Sequence, residues 1–226
     1  MSNILNKPPI LALLAFAQLI IALPLGLLKV RNLRTGVLVI TMFAATLGPL
    51  LYLETVYFQD VHGYSALETG LAYLVPTVAI FVGANLGGRL ATRFGLHRIL
   101  AVSFAVAGAG TAFLGLLLSI SASYAVLVPA LLILGLGQGS AFTTMYAAAS
   151  TAVAAEYQGI GSGTASTGQQ LGNAVGLAVL VAIANQSSTP VQGLRTAVLL
   201  SAVGVFATAV LALTGRRRVQ ALALSN

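Results

Sequence analysis

From Ile99 to Ala155 the chain runs for fifty-seven residues without one charged side chain. As a single α-helix that run would measure about 85 Å at 1.5 Å per residue, far beyond the ~30 Å hydrocarbon thickness of a bilayer. It has to fold back once. Ser119-Ile120-Ser121-Ala122-Ser123 is the polar cluster placed to turn it, which predicts helices over 98–119 and 124–150. Charged residues make up 7% of the chain and hydrophobic residues 58%, whereas soluble domains carry about 25% charged residues. Only helices and closed barrels satisfy the backbone in lipid. These apolar runs are about twice the length of a barrel strand and do not alternate polar with apolar. The expected fold is all-α, a polytopic membrane helical bundle.

The same reasoning places the other spans. Pro8 to Leu28 is uncharged and interrupted near its end by Pro24. It reads as an extra N-terminal helix at about 9–22, then an interfacial segment to residue 34 carrying Lys29, Arg31 and Arg34. A signal peptide fits less well, because no good small-x-small cleavage site follows. Thr35 to Leu53 gives nineteen uncharged residues, in a helix expected to reach Phe58 before a turn over Gln59–Tyr64. Ser65-Ala66-Leu67-Glu68 has capping-box form and marks the next helix, which should run to about Thr92. Later come a turn near Glu156, a glycine-rich helix over 159–184, a loop over 185–190 and a last helix over 194–214. The domain expectation is a partial linker helix and interfacial segment (1–34), a six-helix bundle (35–215) and a tail (216–226).

Between two of these spans, Gly88-Arg89-Leu90-Ala91-Thr92-Arg93-Phe94-Gly95-Leu96-His97-Arg98 packs three arginines into a short turn. Basic residues gather on the cytoplasmic side of membrane proteins. Placing this turn there puts nine of the eleven Lys and Arg on one side. A plasma (inner) membrane protein with a cytoplasmic C-terminus is expected. The net charge of +7 is thereby read as membrane-flanking, with no call for nucleic acid. No cysteine is present, and His62 and His97 lack partners at ligand spacing, so no metal is expected. Neither a nucleophile–His–acid set, an HExxH helix nor a GxxxxGK[ST] loop occurs, so no enzyme is expected.

Several residues could carry function inside the bilayer. Glu54 is the acid that falls within a predicted span, and such a carboxylate is by default a proton-coupling or cation-binding candidate. A headgroup-reaching Glu flanked by Tyr52 and Tyr57 is the alternative. Gln138, followed by Phe142 and Met145, and the trio Gln169, Gln170 and Asn173 need protein or a water-filled path. Interhelical hydrogen bonding is the plainer role for them. Gly168, Gly172 and Gly176 recur every four residues, a spacing that lets helices pack closely in lipid, either statically or as a gliding surface.

The segment from Gly88 to Arg98 resembles the G-x-L-a-D-R-x-G-r-k-r signature of the major facilitator superfamily, with Thr92 in place of the usual Asp. Tyr57-Phe58-Gln59 with Gly63-Tyr64-Ser65-Ala66-Leu67-Glu68-Thr69-Gly70-Leu71 is similar to a stretch of its fourteen-helix drug:proton antiporter branch. So is Gln158-Gly159-Ile160-Gly161-Ser162-Gly163 through Gly176, with Gln169 where Arg is common. The resemblance covers about residues 10–215 and implies the C-terminal six-helix half of that fold. It further implies proton-coupled efflux of small amphipathic compounds, with no cofactor beyond the proton gradient. Tyr57, Gln138, Gln169, Gln170 and Asn173 would lie on the substrate path and Glu54 would couple protons. Gly88, Arg89, Arg93, Gly95 and Arg98 would form a conformational-switch loop. Because such transporters bind substrate between two bundles, the implied partner is an N-terminal half or a second copy. A non-transporting module or inactive truncated permease, associating with another membrane protein, is the alternative.

Overall fold

The computed structural model describes residues 31–151 and 158–223. The apolar segment at about 9–22, Lys29 and the turn at Glu156 lie outside the described residues. Among the described residues, eight helices build six spans. The first span is α1 (Arg31–Leu47) and α2 (Leu50–Val56), extended by a π-turn over Tyr57–Val61; the second is α3 (Ala66–Ala72) and α4 (Leu74–Phe94). The remaining spans are α5 (Leu96–Leu117), α6 (Tyr124–Thr151), α7 (Gln158–Ala184) and α8 (Pro190–Ala223). All six are long and apolar enough to cross a membrane.

Local chemistry sets the boundaries. Ser65 accepts a hydrogen bond from the Glu68 N–H at 3.3 Å, while Glu68 Oε2 accepts from the Ser65 N–H at 2.8 Å. This is the expected capping box, and it starts α3. The long uncharged run turns at residues 118–123, as its serines predict. Some boundaries differ from expectation, among them the start of the last helix at Pro190 and the end of the first span at Val61. The basic turn is a single residue: α4 runs through Arg89 and Arg93 to Phe94, Gly95 takes φ +94°, and α5 starts at Leu96. A left-handed glycine reverses the chain without further loop, so the three arginines sit on helix ends. The last helix also continues through Arg216–Arg218 to Ala223. Arginine is a good helix former and suits a helix C-terminus.

The spans divide into two triplets of opposite direction, 31–117 and 124–223, and the triplets exchange their middle members. From the first triplet, α4 packs chiefly on α6; from the second, α7 packs chiefly on α1. Glycines make both contacts possible. Gly83 of α4 lies on the Leu136 carbonyl and Gly139 of α6 on the Ile80 carbonyl, while Gly172 and Gly176 of α7 lie on the Thr41 and Ala45 carbonyls of α1. At each of these positions a Cβ would overlap backbone. At the back, α5 packs on α6 and α8, and Ser103 and Ser140 hydrogen-bond across α5 and α6 at 2.6 Å.

Candidate functional site

The first span breaks near its middle, and the break organises one face of the bundle. Pro49 has no N–H, so the Ala45 carbonyl loses its helical partner, and the chain turns over Gly48 and Pro49 before resuming as α2. Neighbouring spans cover the opening. Gly176 lies on the Ala45 carbonyl, the Asn173 carboxamide fills the space a Cβ at Gly48 would take, and Ser201 Oγ of α8 donates to the Thr46 carbonyl. Pro76 has the same effect in α4: it leaves the Ala72 carbonyl free, and the Tyr124 hydroxyl donates to it at 2.6 Å.

Around that break α1 packs on both α6 and α7, which carry the polar side chains Gln138, Tyr146, Gln169, Gln170 and Asn173. Gln169 Oε1 accepts from the Tyr146 hydroxyl at 2.7 Å, linking α7 to α6. Gln170 is exposed, whereas Gln138, Gln169 and Asn173 are half-buried. Phe142 follows Gln138 by one turn and meets Phe43 at 6.2 Å and Tyr146 at 5.0 Å between ring centroids. Met145 is buried in the core instead. A cleft of about 320 Å³ opens below, between α6 and α7, lined by Tyr146, Ser150, Gln158 and Ser162 with small neighbours. Of the four amides expected on a path, Gln169 meets Tyr146 and Asn173 meets Gly48, while Gln138 is half-buried on α6 and Gln170 is exposed on α7. Gly168 joins Gly172 and Gly176 against α1, next to Thr41 Oγ1, so that glycine row is occupied inside the bundle.

Tyr57 does not join this face. It is fully buried at the end of the bundle opposite the arginines, and its hydroxyl donates to the Ser119 carbonyl at 2.7 Å. Phe58 stacks on Tyr64 at 5.6 Å and meets Tyr73 and Tyr124 edgewise or tilted at 6.2 and 6.0 Å. Glu54 lies just beneath. It is buried within α2. Sequence reasoning passed over Pro49, Tyr73 and Tyr124; the Gly-Pro pair inside an apolar run was the available signal for the first.

At the arginine end, Arg89, Arg93 and Arg98 are exposed, and Arg93 lies 5.2 Å from the centre of the Phe94 ring. Thr92, where the signature carries Asp, donates back to the Arg89 carbonyl at 2.7 Å. Gly88 faces Thr143 of α6 across ordinary contact distance. Among the described residues no group of three or more His, Asp or Glu could hold a metal.

A family model described as Major Facilitator Superfamily matches residues 5–177. The chain belongs to the major facilitator superfamily. Within the superfamily it is 34% identical over 143 residues to "Multidrug resistance protein Stp" of Mycobacterium tuberculosis, a stretch covering 62% of this chain and 26% of Stp. It is 28% identical over 160 residues to the "Tetracenomycin C resistance and export protein" of Streptomyces glaucescens, covering 70% of this chain and 29% of that protein. The chain therefore matches less than a third of the length of either relative. As in other superfamily members built from inverted repeats, its two triplets run in opposite directions.

Proposed function

We propose that this chain is one six-span bundle of a drug exporter, and that α1, α6 and α7 line the substrate path. The placement of Gln138, Gln169, Gln170 and Asn173 carries this reading. Amides at membrane depth need protein or water as partners, and these four lie on the two helices α6 and α7 with none of them fully buried. The names of the two relatives, both resistance proteins, support small amphipathic compounds as the substrates. Coverage indicates what completes the path. In the most apolar stretch of each span, 28% of the residues of α3–α4 and 22% of those of α7 are buried, against 50% or more for the first span, α5 and α6. A second bundle, either another segment or another copy, would seat against those two spans. The arginine end would face the cytoplasm of a cell bounded by this plasma membrane, following the basic-residue rule.

Glu54 would carry the coupled proton, since a buried carboxyl can be filled and emptied as the bundle changes partners. Arg89, Arg93 and Arg98 would bear on the switch between states from their helix ends.

The test is dye efflux from proteoliposomes under an imposed pH gradient, using the chain alone and joined to the part of Stp outside the matched stretch. Efflux by the joined protein is expected, with strong loss in Gln170→Leu and loss of gradient dependence in Glu54→Gln. A folded joined protein that moves no dye overturns the transport reading. Unchanged gradient dependence in Glu54→Gln overturns the coupling role alone.

A further inference from the structure

Glycine opens the cleft between α6 and α7. It lies at the arginine end, where α6 finishes and α7 begins, and encloses about 320 Å³. That is at the small end of the range for ligand sites, about 300–1,000 Å³. Gly159 and Gly161 line it, and a Cβ at Gly159 or at Gly163 would meet no atom within 4 Å. Ala149 and Ala165 add only methyl groups. Against these small walls stands one large side chain, Tyr146, whose ring is braced 5.0 Å from that of Phe142. Such a slot suits a flat ring system, which can stack on the tyrosine.

The polar groups of the cleft have a direction. A hydroxyl carries one hydrogen and two lone pairs. Tyr146 spends its hydrogen on Gln169 Oε1 at 2.7 Å, Ser150 on the Ala147 carbonyl at 3.0 Å and Ser162 on the Gly159 carbonyl at 3.0 Å. None of the three accepts a hydrogen bond among the described residues. To a ligand they therefore offer acceptor oxygens and no donor. Gln158, exposed at the start of α7, can serve either way, so discrimination falls to the hydroxyls. Ser150 belongs to α6 and Ser162 to α7, and a ligand with a donor at each end can bridge the two helices. No lining residue among those described is charged. A ligand charge brought in would lose its water without gaining a partner.

We propose that this cleft is a binding site for uncharged, flat aromatic compounds that bear hydroxyl groups, the ring lying on Tyr146 and the hydroxyls donating to Ser150 and Ser162. As a cargo class this rests on the transport reading; as a binding site it stands apart from it.

The probe is a naphthalenediol with a hydroxyl at each end, compared with its dimethyl ether, which keeps the flat ring and loses both donors. The chain has no tryptophan, so the anisotropy of naphthalene emission reads binding to the chain in lipid nanodiscs, against empty nanodiscs. The diol should bind about tenfold or more tighter than the ether, the scale of one or two net hydrogen bonds. Ser150→Ala combined with Ser162→Ala should bring the two probes within about threefold. Ser162→Leu, which fills the slot, should weaken the diol by about tenfold. Glu156→Gln, in the connection outside the described residues, should leave the preference intact. Equal affinities in the unaltered chain overturn the proposal. So does a preference that survives loss of both serine hydroxyls, or one that is lost with the Glu156 carboxylate. The protein joined to the part of Stp outside the matched stretch separates this site from the transport reading. A diol preference in a joined protein that moves no dye keeps the cleft and removes its cargo role, whereas dye efflux without that preference removes the cleft alone.

Discussion

The hydrogen bond from Tyr146 to Gln169 joins two helices that otherwise meet sparingly. Its loss should be felt in the angle between α6 and α7 more than in the core. Tyr146→Phe and Gln169→Leu should each destabilise the chain by about 0.5–1.5 kcal/mol, the range for interhelical hydrogen bonds in membranes. The double variant should cost clearly less than the sum, a coupling that reversible unfolding from mixed micelles would read. Gln169 was legible as an amide that needs company, since four polar side chains in two apolar helices stand out against their background. Its partner was not, because Tyr146 carries a hydroxyl that satisfies equally well facing water, lipid headgroups or another helix. Glu54 was legible for the same reason as the amides, and only packing could reveal that it is buried.

Glycines in these helices divide by what a side chain would strike. Gly172 and Gly176 lie on carbonyls of α1, whereas Gly159 and Gly163 have open space around them. Gly172→Leu should therefore separate α7 from α1 and cost about 1–3 kcal/mol or more, the overpacking range. Gly163→Ala should be neutral or stabilising by up to about 1 kcal/mol, since glycine is the poorer helix former. Unfolding midpoints of the two variants, measured side by side, check the contrast. Helix number and most ends could be read from charge gaps, serine clusters and the Ser65 capping box, because those residues act locally. Partners could not. A row of small residues states that some helix comes close, and only the assembled bundle shows that α7 seeks α1 while α4 seeks α6. The one-residue reversal at Gly95 and the break at Gly48–Pro49 likewise depend on neighbours that tolerate them.

The bundle buries α5 against α6 and α8, and leaves α7 the least covered of its spans. The native chain has no cysteine, so single thiols can be placed at will. A thiol at Gln170→Cys on α7 should react with a membrane-impermeant reagent roughly tenfold or more faster than one at Val203→Cys. Val203, 64% exposed on α8, would face hydrocarbon where such reagents do not enter. Equal protection of both positions in nanodiscs would mean this part of α7 is sealed by lipid, contrary to the path assigned to it. The exchange of middle helices also has a consequence for how the molecule is made. When α1 leaves the ribosome its chief neighbour does not yet exist; α7 begins about a hundred residues later, or roughly 5–20 s of synthesis at usual rates. For that interval the Thr41 and Ala45 carbonyls and the broken turn at Pro49 stand without their glycine cover. Whatever receives the nascent chain must shelter them, and a ribosome stalled before α7 would strand a first half whose seam still waits for its other edge.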